Sequence, residues 1–553
     1  MKTLDVMKAQ FATNIRGERK NYRILVVLAL LITSLGAQSQ MIQDPAKSGD
    51  TDLSWFGIIH PPGFKAHSVP LILSDRGPRP VFAPEGEADF EHLRGAEIKK
   101  DLAAVIEFSK QSRDSNEIGS GQLWGRLSGF SSGANTVNWA LGKFAEAGIT
   151  ETSRQSFNQD ADSEFWMPLS WKLTLLANSK FGEKSKDIVL ESAMPLSPSS
   201  IPGGKLKANL IYVGGASAAE LEKVDVAGKI AVQRVIPQGH LVFERQPVVP
   251  NSRELFSRGA IAVINVIQQP GNERAIDFRN CGGPCFNLGG RDGHFLLSVM
   301  NKATEKSLNP ELKMEIQLQT ELRSNLKATN AIGVIPGKGE QEIKTKNIIV
   351  NAHTDAWFDG AGDNADGLAV MIALAKHFSK PEYQLQRDII FVASAGHHSP
   401  GLNGPRNFVA MNSEVAKNSS LVINIEHVAQ RNISPARSLF EDGYREYIAD
   451  ANEAPIVAGI SNQSPFLKNL FDIGVERYGT NFVSGDSSMA SGEGGGYRSM
   501  NVPIVTTMQA PPLYHTSGEV LEVISEPGLE RMARFLAFFI KEVDAATENE
   551  INP

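Results

Sequence analysis

Residues 347–378 read NIIVNAHTDAWFDGAGDNADGLAVMIALAKHF. Three textures follow one another. NIIVNAH (347–353) is a short, continuous, β-branched run, the pattern of a strand buried on both faces. GAGDNADG (360–367) mixes glycine with acidic residues and suits a backbone that turns tightly around a charged centre. LAVMIALAKHF (368–378) then sets Leu368, Ile372 and Ala375 in helical register. Strand, loop and helix recur through the C-terminal half. DIIFVAS (388–394), LVINIEH (421–427) and VPIVTTM (502–508) are further buried-type strands, and Leu529, Met532, Leu536, Phe539 and Val543 predict a closing amphipathic helix. The expected class is α/β, a mostly parallel, mixed central sheet with helices on both faces.

The rest of the chain has a different texture. Residues 1–37 carry Arg16, Arg19, Lys20 and Arg23 before the apolar run ILVVLALLITSL (24–35), the pattern of a secretory signal peptide. The run is short for a membrane span, which needs ~20 apolar residues. The mature protein is expected to be exported, periplasmic or extracellular, with no stable membrane insertion after cleavage; an uncleaved anchor is the alternative. Residues 38–94 are rich in Pro and Gly and read as an extended wrapping segment. Residues 95–201 open with Ile98, Leu102, Val105 and Ile106 at helical spacing, then Val137, Leu141 and Phe144 on a helix over 134–147. Residues 202–325 hold short β-type runs, NLIYV (209–213), KIAVQRV (229–235) and AIAVINVI (260–267), with a short helix near 252–258. They form a compact β-rich insert before the sheet resumes over 326–547. GEGGG (492–496) is expected to be a mobile loop. The two cysteines, Cys281 and Cys285, predict a local disulfide in an exported chain or two loop thiols. A net charge of −7 with no basic block beyond the N-terminus gives no reason to expect nucleic acid.

Ligands of open α/β sheets bind at the carboxyl ends of strands. There stand His353 and Asp355, then Asp363, then His397 and His398, then Glu426 and His427, and beyond the last strand His515. Imidazoles and carboxylates gathered at one sheet edge suit zinc or a similar borderline metal. A single histidine at a strand end is more often a hydrogen-bonded loop residue, so His427 alone, and His377 within a helix, receive no functional assignment.

HTD (353–355), GAGDNADG (360–367) and YHT (514–516) together resemble the signature of the co-catalytic zinc aminopeptidases, a family that includes glutamate carboxypeptidase II. VDVAGKIAVQR with the following GAIAVINV is similar to the protease-associated domain inserted in many members. TNAIGVIPG (329–337) resembles the strand by which such chains re-enter the peptidase domain, and WGRLSG (124–129) the family's N-terminal part. The resemblance covers most of residues 95–545. It implies that His353 and His515 each bind one of two metal ions, that Asp363 bridges them, and that Asp355 orients His353. It implies a metal-activated water attacking a peptide or small amide substrate. Asp486, in SGDSS, falls where the family has a residue near the substrate cleft.

The chain departs from the pattern where it matters chemically. The family's Glu-Glu-x-Gly-Leu-x-Gly, general base then metal ligand, is replaced by HHSPGLNG (397–404), which has one extra residue before its Gly-Leu-x-Gly tail. The family's metal-binding Asp on the next strand becomes Glu426. Three readings stay open. His398 replaces the ligand and His397 the base; one metal is lost and the hydrolase is weakened; or the site is inert and the chain is a binding protein on a peptidase scaffold, using the protease-associated insert. Histidine in place of glutamate removes a negative charge, so one or two zinc ions are both compatible with the set His353, Asp363, His398, Glu426 and His515. The first reading, an exported zinc-dependent exopeptidase of aminopeptidase type, is the expectation carried forward. Substrate preference and oligomeric state are not fixed by these residues.

Overall fold

A computed structural model describes residues 54–553, except 61–62, 65–68, 74–75, 237–247, 277–280, 439–444, 485–491 and 510–511. Residues 1–37, where a signal peptide is expected, and Asp486 lie outside the described residues. The central sheet has eight strands: β1 (Glu151–Asn158), β2 (Lys327–Ile335), β3 (Ile348–His353), β4 (Ile389–Ser394), β5 (Leu421–Ile425), β6 (Ile456–Ile460), β7 (Phe482–Ser484) and β8 (Ile504–Met508). Their spatial order is β7-β6-β8-β5-β3-β4-β2-β1. The middle strands β8, β5, β3 and β4 run parallel. Antiparallel β2 and β1 close one edge, and the β6–β8 pair is antiparallel near the other.

The parallel strands are mostly apolar because both faces are covered, and buried Asn351 and Asn424 pair across β3 and β5, Nδ2 of the first donating to Oδ1 of the second at 2.8 Å. Every residue of β3, β4 and β5 is buried. Helix α3 (Asp366–Phe378) packs on one face with α1 (Gly95–Asp114), α2 (Ser131–Glu146) and α4 (Glu526–Ala545) around it. All of α3 except Lys376 is buried, as expected of a helix apolar on every side. Lys376 Nζ lies 2.6 Å from an Asp101 carboxylate oxygen.

A second eight-stranded sheet lies in the same compact unit, residues 54–553. Its parallel centre is 205–212, 230–235, 262–267 and 285–288. It is not confined to 202–325: Phe165–Leu175 pairs along Lys313–Arg323, and 188–189 and 194–195 add edge pairs. The expected short helix is longer, Val248–Ser257, and a further helix spans Gly290–Glu305. Cys281 and Cys285 are buried thiols that are not joined in a disulfide. The Pro-rich segment wraps as expected in its second half: Arg531 donates to the Arg79 and Pro80 carbonyls and Arg534 to the Glu87 carbonyl.

Candidate metal centre

Strand β3 ends in His353, and the chain turns back through 356–357, which pairs with 125–126. Gly360 then takes a left-handed backbone (φ 53°), where a Cβ would come 2.3 Å from the Ala356 Cβ. This turn drops Asp363 beside the strand ends. Arg126, fully buried, ties the turn down. Its guanidinium donates to the main-chain oxygens of Thr354 (2.9 Å), Asp359 (2.7 Å) and Gly360 (2.9 Å). Burial pushes the Arg126 pKa down to about 10 against the pull of Asp363 and Asp355, so it stays charged.

Four imidazoles surround the Asp363 carboxylate in two pairs. His353 Nε2 and His427 Nε2 stand 3.1 and 3.0 Å from Oδ1; His398 Nε2 and His515 Nε2 stand 3.2 and 3.0 Å from Oδ2. Two donors bound at ~2 Å to one tetrahedral zinc are about 3.3 Å apart. The four separations are therefore close to the donor–donor spacing of a tetrahedral zinc site at either oxygen of Asp363. His353, Asp363 and His398 also offer ligand atoms all within 4.8 Å of one another. Buried His353 Nε2 makes no hydrogen bond. On the oxygen-1 side the rings are aimed by main-chain acceptors: His353 Nδ1 donates to the Asp355 oxygen (3.0 Å) and His427 Nδ1 to the Gln509 oxygen (2.8 Å). A carbonyl can only accept, so each Nδ1 holds a proton, and each Nε2, once unprotonated, is the nitrogen offered to a cation. The residues fit zinc.

Two side chains make contacts other than those expected. Glu426 has protein partners of its own on one oxygen, while its other oxygen, Oε2, is buried without a hydrogen bond. His427, with φ 48°, is in the left-handed region, which turns its ring inward. Glu426 Oε1 accepts from Asn424 Nδ2 and from the Glu493 main-chain N–H, each at 2.8 Å. His515 is also left-handed, φ 58°. Such backbone costs on the order of 1–3 kcal/mol per residue and collects at functional sites. Second, the Asp355 carboxylate does not orient His353, whose Nδ1 lies 3.8 Å from it. It accepts the main-chain N–H groups of His397 (3.2 Å) and His398 (3.0 Å), holding the loop that carries both.

The electrostatics follow. Burial opposes ionisation of Asp363, but the surrounding histidines hold it well below the carboxylate range. Burial opposes charge on His427, yet Asp363 and Glu426 push it up to about 10. Burial drives His398 down to about 4 and also lowers His515, so both are neutral, ligand-ready rings near pH 7.

His397 forms a second group of closely spaced donors with His353 and Glu493, their ligand atoms all within 4.8 Å of one another. Its Nδ1 is 2.7 and 2.6 Å from the two oxygens of Glu493, and its ring stacks on His353 at 4.3 Å. Glu493 belongs to the GEGGG run, which is no mobile loop: it forms a short 3-10 segment, Gly492–Met500, with Glu493 buried. Sequence reasoning missed His427 and Glu493. Adjacent donors at a strand end could have flagged the first; a lone acid in a glycine run could have flagged the second.

Residues 330–540 match the model of peptidase family M28. Among solved structures, the fold is similar to a peptidase M28 precursor from Shewanella amazonensis, with a TM-score of 0.57 and 17% identity, covering 83% of this chain and 99% of that one. It is also similar to BSAP, a zinc aminopeptidase from Bacillus subtilis, with a TM-score of 0.54 and 17% identity, covering 82% and 97%. No curated protein sequence matches the chain.

Proposed function

From a chain whose residues 330–540 match the model of peptidase family M28, we propose a zinc-dependent exopeptidase of aminopeptidase type. The observation that carries it is the pairing of four imidazoles on the two oxygens of one buried carboxylate. His353 and His427 with Asp363 Oδ1 would hold one zinc ion, and His398 and His515 with Oδ2 the other. Bound zinc would polarise the scissile carbonyl and make water nucleophilic near neutral pH.

The chain's own residues do the rest. Asp363 supplies the one negative charge common to both positions. Asp355 fixes the 397–398 loop through two main-chain bonds. His397, with 22% of its side chain exposed against 1% or less for His353, His398 and His427, is placed to meet a substrate; Glu493 holds its pKa well above the ordinary value, so it takes the proton that the family's glutamate takes only where bound zinc brings that pKa down. The substrate is a peptide or a small amide. The basic stretch ahead of an apolar run supports export, and the parallel-centred second sheet supports reading 202–325 as a protease-associated insert.

The test is hydrolysis of aminoacyl p-nitroanilides and dipeptides by the zinc-loaded full chain. Turnover should vanish with a chelator and return with zinc. Two zinc ions bound per chain with no turnover across the panel would overturn the enzymatic reading and leave a metal-binding scaffold.

A further inference from the structure

We propose that Glu493 is the positioning residue of this centre: it holds the His397 imidazole at the mouth of the site, and Glu426 and Gly492 exist to bring it there. The proposal rests on the hydrolase reading above.

The sequence offers no carboxylate next to His397, and the fold imports one from 96 residues away. Glu493 is buried, 8% exposed, and both its oxygens lie within 2.7 Å of His397 Nδ1. A carboxylate without a proton only accepts, so Nδ1 carries the hydrogen and Nε2 is the nitrogen that Glu493 leaves unengaged. The ring is clamped on three sides. Glu493 binds its edge, His353 stacks on its face with planes 23° apart, and Asp355 holds its main-chain N–H.

The route by which Glu493 arrives is built with equal care. Its own N–H donates to Glu426 Oε1. Gly492 has φ +55°, and a Cβ there would lie 2.1 Å from both Glu426 oxygens, so only glycine lets the chain come this close. Further along, Tyr497 is fully buried and its hydroxyl donates to Asn351 Oδ1 of β3 at 2.9 Å, pinning the segment to the sheet. Gly496 packs against Pro405 and Asn403 at the start of helix Gly404–Met411. Glu426, placed by its position in the sequence among the ligands, thus serves as the anchor of a segment whose one buried acid reaches His397.

The experiment compares wild type, Glu493→Ala, Glu493→Gln and His397→Ala as full-length, zinc-loaded proteins. Four quantities are read: kcat, KM, zinc per chain, and the downfield proton resonance of the His397 Nδ1–H, assigned by its loss in His397→Ala. Glu493→Ala should lower kcat about 10²-fold, leave KM and zinc content unchanged, and abolish the resonance. Glu493→Gln keeps an accepting oxygen and should recover part of kcat and a weaker resonance. Wild-type kcat, or an unchanged resonance, in Glu493→Ala would overturn the proposal. Loss of one zinc equivalent in that variant would also overturn it, making Glu493 a ligand of the His353–His397–Glu493 group. If wild type turns over no substrate, the hydrolase reading fails, and the resonance with its loss in Glu493→Ala still decides whether the pair exists.

Discussion

His427 shows how much one backbone angle can decide. The chain presents two neighbouring donors, Glu426 and His427, at the end of β5. A strand alternates its side chains, so only one of them can face Asp363. The left-handed φ of His427 selects the imidazole. Two substitutions separate the roles. His427→Ala should reduce bound zinc from two equivalents to one, because it removes a donor whose Nε2 is 3.0 Å from Asp363 Oδ1. Glu426→Gln should keep two, because a Gln side-chain oxygen still accepts from Asn424 and from the Glu493 N–H. Elemental analysis after dialysis reads both; the reverse pattern would return the ligand role to the carboxylate.

At the scale of elements, the centre depends on the turn between β3 and α3 and on what restrains it. Arg126→Met would leave the oxygens of Thr354, Asp359 and Gly360 without their buried donor. It should lower stability by on the order of 3 kcal/mol or more, seen as a lower denaturant midpoint at unchanged slope, with Arg126→Lys between the two. A second prediction concerns the packing of residues 90–94 on α3. His92 Nε2 and His377 Nδ1 are 2.9 Å apart, and His377 stacks on Tyr383 at 4.2 Å. Burial, with Lys380 beside His92, lowers His92 to about 4; burial and His92 lower His377 to about 3. Unfolded, each titrates near 6.5. Below pH 6.5 the unfolded chain therefore binds more protons than the folded one, so stability is full above pH 6.5 and falls as pH drops toward 4. Thermal melts across that window should show the loss, and His377→Phe, which keeps the stacking surface and removes the ionisable ring, should flatten it. A melting temperature that falls as steeply in the variant would refute this account.

The same elements show what the sequence could reveal. NIIVNAH, DIIFVAS and LVINIEH were legible as buried strands because burial on both faces forces continuous apolar runs, and the strand ends located the site. His353, Asp363, His398 and His515 were legible because donors at successive strand ends must meet. Glu493 was not, because no periodicity records that a glycine-rich segment will fold inward onto Glu426. The choice of His427 over Glu426 was hidden for a related reason: a single left-handed residue leaves no mark on the pattern around it.

Across the whole molecule, the second sheet belongs to the site's support. The loop leaving it pairs with the segment that carries His515: Ile276 N–H donates to the His515 oxygen (3.0 Å), Ser517 N–H to the Arg274 oxygen (2.9 Å), and Gln269 Nε2 to the Pro512 oxygen (2.8 Å). The left-handed backbone at His515 is thus held from the other sheet, and both sheets define one centre. That centre is seen most directly by anomalous scattering at the zinc edge from crystals of the zinc-loaded protein. The account predicts two peaks flanking the Asp363 carboxylate, one bound by His353 and His427 and the other by His398 and His515. A single peak, or zinc bound by Glu426 with His427 turned away, would contradict it.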